Sequence, residues 1–387
     1  MAKRLSKKAK KEMDSKTASA PKKKASNWDR IQEMEKELSS MQYNKRTQHH
    51  YGLVRAKIAQ LKQKEEARRS QGPKTTGYSL KKSGDATVIL VGFPSAGKSS
   101  LLNAITNANS PVGAYEFTTL DVIPGLLEHK DAKIQILDVP GIVMGAASGR
   151  GRGREVLSVL QNADLALIIL DTLRPNAHKV IQKEINDAHL RLNKRRPDVK
   201  IMKKSKDGIR IGKTVKLPKL SDETIRSICR EFRINNADIL IRSEIEVDDF
   251  IDVIERNKVY IPGLTVLNKI DLVDKKRLEE IKEEIRPDLC ISAEKGTNVD
   301  RIKDLIFDRL DFIRVYCKET GKKADLEVPM IMRRGNTIRD MCEKLHRDFV
   351  TKFRFAKVWG PSAKFPGQRF MLNHVLKDGD IVQIYLN

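Results

Sequence analysis

Gly92-Phe93-Pro94-Ser95-Ala96-Gly97-Lys98-Ser99 is the stretch that decides the fold. It follows a short β-branched run, Thr87-Val88-Ile89-Leu90-Val91, and precedes Ser100-Leu101-Leu102-Asn103-Ala104-Ile105, which reads as the first turns of a helix. A G-x-x-x-x-G-K-[ST] run between a strand and a helix is a phosphate loop. Its glycines let successive backbone N–H groups wrap a polyphosphate, and the helix N-terminus adds its positive dipole. Lys98 is placed to reach the β- and γ-phosphates and the Ser99 hydroxyl to hold Mg²⁺. The expected phosphate-binding residues are Gly92, Phe93, Pro94, Ser95, Ala96, Gly97, Lys98, Ser99 and Ser100.

A second motif selects the base. Thr265-Val266-Leu267-Asn268-Lys269-Ile270-Asp271 is an apolar strand running into N-K-x-D. An ionised carboxylate only accepts hydrogen bonds, so Asp271 suits the ring N–H and exocyclic amino group of guanine. Adenine offers an acceptor at its ring nitrogen and would leave the carboxylate unpaired, a mismatch that such sites reject strongly. Asn268 is expected to brace the neighbouring loop and reach the purine, Ser292-Ala293-Glu294 to close over the base, and Lys269 counts among the nucleotide-binding residues.

Two switch segments lie between these motifs. Asp138-Val139-Pro140-Gly141 ends the apolar run Ile134–Leu137. Asp138 at a strand end suits an outer-shell Mg²⁺ ligand, and the Gly141 N–H suits a γ-phosphate contact. Upstream, Tyr115-Glu116-Phe117-Thr118-Thr119-Leu120 offers Thr119 to complete the metal shell, making the metal set Ser99, Thr119 and Asp138. Lys98, Thr119 and Gly141 are the candidate catalytic groups. Loss of the γ-phosphate would release both segments.

The chain has 387 residues, enough for two or three domains. Its formal charge of +24 with only 5% aromatic residues points to polyanionic partners, nucleic acid or an anionic membrane surface. No apolar stretch is long enough to span a bilayer, and the Lys-rich start lacks the apolar core of a secretory signal. Four scattered cysteines without C-x-x-C read as thiols in a reducing cytosol, so a cytoplasmic location is expected.

Six segments are expected. Residues 1–25 form a basic arm. Residues 26–84 carry a helical hairpin, with Ile31, Met34, Leu38 and Met41, then Val54, Ile58 and Leu61, at three- and four-residue steps. Its charged surface is either solvated or a contact face. Residues 85–172 and 261–311 make a parallel sheet with helices on both faces. The span from Asp171 to Thr265 is too long for one crossover, so 173–260 is an insertion: a helix over 177–193, then a basic stretch, Arg191–Lys219, with small strands near Val199–Met202 and Ile209–Ile211. That basic stretch is either a polyanion contact or a charged solvent face. Residues 312–387 read β-β-α-β-β, with strands Phe312–Cys317, Glu327–Met332 and Phe355–Trp359 and a helix Thr337–Phe349, the order of a ubiquitin-like grasp. Trp359 beside Lys357 is either core packing or an exposed aromatic. All nucleotide motifs lie upstream of this module, so its removal is expected to leave nucleotide affinity nearly intact.

Taken together, G-F-P-S-x-G-K-S, F-T-T-L, D-V-P-G-I, N-K-I-D and S-A-E resemble the Obg-related GTPases. The hairpin, the insertion and the ending with V-W-G and D-G-D-I-V-Q-I resemble the developmentally regulated GTP-binding protein (DRG) family, over nearly the whole chain beyond the arm. The resemblance implies an α/β fold: a P-loop GTPase core, a helix-turn-helix segment, an inserted S5D2L-type α+β domain and a C-terminal TGS domain. It also implies GTP/GDP and Mg²⁺ as ligands, GTP hydrolysis, association with ribosomes, and, among eukaryotic members, a dedicated regulatory protein. Expected partners are the ribosome and its RNA through the basic appendages, with no membrane and a monomer off the ribosome.

One position departs from the Ras pattern. The residue after the D-x-x-G glycine is Ile142, where Ras-type enzymes place a water-orienting Gln. A low intrinsic rate is therefore expected. Two substitutes stay open: a monovalent cation such as K⁺ near Ser95, or an arginine from Gly149-Arg150-Gly151-Arg152-Gly153-Arg154. Some relatives that use potassium carry Asn where this chain has Ser95.

Overall fold

The computed structural model describes residues 26–42, 44, 46–69, 84–106, 123–138 and 162–386. The basic arm, Thr118, Thr119, Gly141, Ile142 and the Arg150–Arg154 run lie outside the described residues.

The chain opens with helices α1 (Asn27–Ser40) and α2 (Gln48–Arg69), then β1 (Ala86–Val91), α3 (Lys98–Ile105), β2 (Ile123–His129), β3 (Ala132–Asp138) and β4 (Leu165–Asp171). Next come α4 (Ala177–Asp187), β5 (Leu190–Leu192), β6 (Val199–Lys203), β7 (Ile209–Lys213), α5 (Asp222–Glu231), β8 (Ala237–Ile241) and α6 (Val247–Glu255). They are followed by β9 (Val259–Ile261), β10 (Gly263–Asn268), α7 (Lys275–Ile285), β11 (Leu289–Cys290) and α8 (Val299–Arg309). The C-terminal part holds β12 (Phe312–Cys317), β13 (Met330–Arg333), α9 (Ile338–Leu345), α10 (Arg347–Thr351), β14 (Phe353–Trp359), β15 (Gln368–Phe370) and β16 (Asp380–Leu386). These elements divide into two compact units, Gly77–Arg196 with Asn257–Asn387, and Met1–Thr76 with Pro197–Arg256.

The first unit is built on a six-stranded sheet in the order β11-β10-β4-β1-β3-β2. All neighbours are parallel except β2, which runs antiparallel to β3 at the edge. The sheet is thus parallel through its core, as expected, with one antiparallel strand at its edge. The short Lys130-Asp131 turn joining β2 to β3, both residues at positive φ, permits only an antiparallel hairpin. Alternation along the central strands feeds two cores. Val88, Leu90, Ile134, Ile136, Leu165 and Leu167 pack with Leu101 and Leu102 of α3 and Ile302 and Ile306 of α8. On the other face Ile89, Leu137, Ala166, Ile168 and Leu170 pack with Ile181 and Ile185 of α4 and Ile281 and Ile285 of α7. Strands buried on both faces read as near-continuous apolar runs, as β1 does.

The helix expected over 177–193 stops at Asp187, because Leu190–Leu192 turns back to pair with Val259–Ile261. Its Ile181 and Ile185 belong to the nucleotide-sheet core, so the compact insertion runs over 197–256 and does not begin at 173.

The C-terminal module is a five-stranded sheet, β13-β12-β16-β14-β15, with α9 on one face over Ile313, Val315, Met332, Val358 and Val382. Thr337 caps α9 with Asp340 in a reciprocal capping box, as the sequence indicates. The helix breaks at His346, and β15 is an extra edge strand. Phe312 and Ile331 sit in the nucleotide-sheet core, with Phe312 edge-on to Phe307 at 5.6 Å. Arg333 pairs with Asp164 at 2.6 Å and Lys344 with Asp85 at 3.2 Å. The boundary expected at 311/312 therefore runs through shared packing.

In the second unit Ile31, Val54 and Ile58 close the hairpin, as their spacing predicts. Ser26 caps α1 reciprocally with Asp29. The β6-β8-β7 sheet packs with α5 and α6 around Phe250, and α2 joins that core through Ala56. A Cβ at Gly52 would lie 2.6 Å from Thr224 Cγ2, so only glycine allows α2 this close to α5. Arg55 donates from Nε to Asp248 at 2.7 Å and pairs with its second oxygen. Hairpin and insertion are therefore one unit, not two.

Candidate nucleotide site

The site forms where β1, β3, β4 and β10 end, at the carboxyl edge of the sheet, which is where open α/β sheets hold ligands. Between β1 and α3 the chain turns through Ser95 at φ 65° and Gly97 at φ 87°. A Cβ at Gly97 would fall 2.2 Å from Asn268 Nδ2, and one at Gly92 would fall 2.5 Å from the Ile169 carbonyl. Both glycines are thus dictated by close approach. The first N–H to bond within α3 is that of Leu101, to the Gly97 carbonyl, and no side chain caps the helix. The amides of Lys98, Ser99 and Ser100 are the helix's free N-terminal donors, as an anion cradle needs.

Lys98 lies back over this loop, its Nζ donating to the Phe93 carbonyl at 3.2 Å. Pro94 and Ser95 are exposed at the tip, and Ala96 is buried beneath. The Ser99 hydroxyl donates to Asp138 Oδ2 at 3.0 Å. Asp138 is 5% exposed, and its Oδ1 is buried without a hydrogen-bond partner. A buried carboxylate oxygen in this state is costly unless a donor or cation reaches it. A serine hydroxyl beside it, next to the phosphate loop, fits a hydrated Mg²⁺. Thr119, the third expected metal ligand, and Gly141, the expected γ-phosphate contact, lie outside the described residues.

Asn268 joins the two halves of the site. Only 2% exposed, it donates from Nδ2 to the Ala96 carbonyl at 2.9 Å and accepts from the Ala293 N–H at 3.0 Å. The phosphate loop and the Ser292–Glu294 loop are therefore held by one amide side chain. Asp271 follows on a short 3-10 turn. A hydrogen bond from the Ser292 hydroxyl holds its carboxyl below the usual carboxylate range, with Lys295 3.7 Å away adding to the effect. Asp271 thus stays ionised and acceptor-only. Ser292 is buried, Ala293 half-buried and Glu294 exposed.

The sequence reading missed two residues here, Asp171 and Thr172. Lys269 adopts φ 64°, and its Nζ pairs with Asp171 Oδ2 at 2.8 Å. Asp171 Oδ1 accepts from the Leu173 N–H, and the buried Thr172 donates its hydroxyl to the Lys269 carbonyl at 2.9 Å. The end of β4 thereby clamps the N-K-x-D turn. The available signal was the register that sets Asp171 opposite Asn268, which appears only once β4 and β10 are neighbours.

Phosphate loop, buried carboxylate and N-K-x-D turn define the class: a P-loop GTPase of the α/β type. The comparisons agree. A family model described as 50S ribosome-binding GTPase matches residues 87–204, a model of the region C-terminal to that domain matches 206–312, and a TGS domain model matches 313–386. A GTP-binding protein of Methanocaldococcus jannaschii is 50% identical over 360 residues, covering 92% of each chain. The developmentally-regulated GTP-binding protein 1 homolog of Dictyostelium discoideum is 43% identical, covering 92% of this chain and 98% of its own. Mouse developmentally-regulated GTP-binding protein 2 is 38% identical over the same shares. The chain belongs to the developmentally regulated GTP-binding protein family of Obg-related GTPases. Among the described residues no helix is long and apolar enough to cross a membrane.

Proposed function

We propose that this chain hydrolyses GTP slowly, with Mg²⁺, and uses the nucleotide state to control its engagement with ribosomes. The observation that carries the reading is Asn268, whose one side chain ties the phosphate loop to the base-closing loop beside the ionised Asp271. Ser99 and Asp138 would hold the metal, which supplies charge neutralisation at the β- and γ-phosphates. Lys98 must leave the Phe93 carbonyl to reach those oxygens, and phosphoryl transfer then depends on position and charge. A hydrophobic Ile142 cannot orient water, so a K⁺ ion near Ser95 or an arginine of the Arg150–Arg154 run would take that role.

Ribosome contact is assigned to the basic surface. Lys200, Lys203, Lys206 and Lys216 are exposed on and beside β6 and β7, as is Arg210, which lies 3.9 Å from Asp207. Lys204, Lys213 and Lys219 are paired with Asp238, Asp222 and Glu246, so they are less available to phosphates. The chain is taken as monomeric off the ribosome and cytoplasmic, with a family-type regulatory protein as a further partner.

Sedimentation with purified ribosomes in GDP and in a non-hydrolysable GTP analogue tests the reading, together with GTP turnover. Binding stronger with the analogue and turnover raised by ribosomes are expected. Equal binding in both states, with no stimulation, would replace the switch with an RNA-binding scaffold whose nucleotide is structural.

A further inference from the structure

Among the described residues, the helices of the C-terminal module lie on one face of its sheet. On the other face, β13 and the start of β12 pack into the nucleotide-sheet core through Ile331 and Phe312. The rest of that face is carried by β16, β14 and β15 and the end of β12. Alternation assigns its side chains. Val315, Val382, Val358 and Phe370 point into the module's core. Tyr316, Lys318, Ile381, Gln383, Tyr385, Phe355, Lys357, Trp359 and Arg369 therefore share the opposite face.

Register arranges these residues in bands. Trp359 lies opposite Ile381, and Ile381 opposite Tyr316. One step along, Arg369 lies opposite Lys357 and Lys357 opposite Gln383. Lys318 follows Cys317, which pairs with Val382, and so joins this second row. In the third row Phe355 lies opposite Tyr385, their rings stacked at 4.5 Å and 18°. A cationic row thus runs between two aromatic rows, which are about 13 Å apart at the usual rise of a strand. Each cation lies against a ring: Lys318 Nζ is 4.5 Å from the Trp359 centroid, Lys357 Nζ 5.4 Å from Tyr385, and the Arg369 guanidinium 4.7 Å from Phe355. No carboxylate stands at the outward positions of these rows. Acids around these rows have partners of their own: Asp378 pairs with Arg314, Glu319 pairs with Lys322, Asp325 accepts from the Glu327 and Val328 amides, and the fully buried Asp380 accepts from the Ser362 and Lys377 amides. Trp359, left open between core and surface by the sequence, belongs to this face.

We infer that this face binds single-stranded RNA, its phosphates following the Lys318–Lys357–Arg369 row and its bases stacking on the aromatic rows to either side. The inference deepens the ribosome reading and rests on it for its physiological setting. Charge complementarity selects a polyanion. The aromatic rows select unpaired bases, because every base has a π-face and a duplex keeps its own covered. Cations held over rings and not by carboxylates are free to turn to phosphates at little cost. A sheet with rings on its outer face is also how single-stranded RNA is read by other sheet modules.

The test uses the full chain and fluorescence anisotropy with two labelled probes, a decauridylate and an RNA duplex of equal charge, across a salt series. Tyr385→Leu and Trp359→Leu should each weaken decauridylate binding about tenfold while leaving the salt slope and duplex affinity unchanged. Lys357→Gln should reduce the slope by about 0.7, one phosphate's share on a single strand. Guanine-nucleotide affinity reports that each variant is folded, and the lysine variant, which removes no ring, serves if a ring variant is not. Ring variants that bind decauridylate like the parent, or lose duplex and single strand equally, overturn the inference. So does a face that ignores RNA because it holds a protein segment. Ribosome sedimentation of the parent chain, run alongside, separates the two claims. Sedimentation with unchanged decauridylate binding in the variants overturns the stacking face alone, and loss of sedimentation overturns the ribosome reading alone.

Discussion

The two sheets of the nucleotide-binding unit do opposite things with their faces. The six-stranded sheet is covered on both sides, so its strand interiors are apolar and its chemistry is confined to the strand ends. There the chain must turn: Gly97 lies against Asn268, Asp138 accepts from Ser99, and Asp271 is held by Ser292. The five-stranded sheet carries its helix on one side and packs only β13 and the start of β12 into the nucleotide core on the other, so outward residues of β14, β15, β16 and the end of β12 are available to a partner. One sheet concentrates function in a few residues held by buried hydrogen bonds. The other spreads it over a surface of cations and rings. Single substitutions should therefore be severe in the first and graded in the second.

The sharpest way to break this contrast is Lys98→Ala. It removes a cation from the developing phosphate charge and should cut GTP turnover by on the order of 10³- to 10⁵-fold, as for other transition-state cations. Single-turnover assays would read it. A loss of only a few-fold would mean that the strand-end site is not where function is concentrated.

Asp271→Asn comes next. It replaces an acceptor by an amide and should lower guanine-nucleotide affinity by on the order of 10³-fold, while favouring xanthine nucleotide, whose ring oxygen replaces the amino donor. Competition binding with both nucleotides checks it. The same carboxylate sets a pH limit. Its pKa is depressed by the Ser292 hydroxyl, so base reading is fully present above the ordinary aspartate value and is lost only as pH falls through the lower, folded value. Ser292→Ala should move that loss to higher pH in an acid titration of nucleotide binding.

Phe312→Ala tests where the two sheets join. Phe312 is 6% exposed and belongs to the nucleotide-sheet core although it begins the C-terminal module. Truncating it should cost about 3–5 kcal/mol, measured by urea unfolding, with guanine affinity in the folded protein nearly unchanged. It also revises the expectation for deleting residues after 311, which removes core packing along with the module. A cut there should lower stability as well as weaken ribosome association.

The smallest expected effect is that of Asp171→Asn, which leaves the fold of β4 and removes the charge opposite Lys269. Base affinity should fall about tenfold, the size of one charge-assisted hydrogen bond, with Asp271→Asn epistatic to it. Additive losses in the double variant would mean that Asp171 does not act through the N-K-x-D turn.

Much of the nucleotide site is legible in sequence because its parts are local. A glycine loop between a strand and a helix, and N-K-x-D at a strand end, carry their own geometry. The partners that link them are not local. Asn268 contacts Ala96 across 172 residues, and Asp171 contacts Lys269 across 98. The hairpin's internal packing at Ile31, Val54 and Ile58 was readable from its period. That Ala56 and Gly52 on the same helix serve another core was not, since Ala and Gly carry little periodic signal.

The amino-acid sequence by itself determined the phosphate loop, the N-K-x-D turn expected to read guanine, and the alternation of sheet and helix, because each rests on residues within a few positions of one another. Tertiary structure alone decided that β2 runs antiparallel, that α4 belongs to the nucleotide core, and that hairpin and insertion form one unit. It also decided which way Trp359 faces. Each of these depends on which apolar surface finds which partner, a choice made between segments distant in the chain and settled by packing.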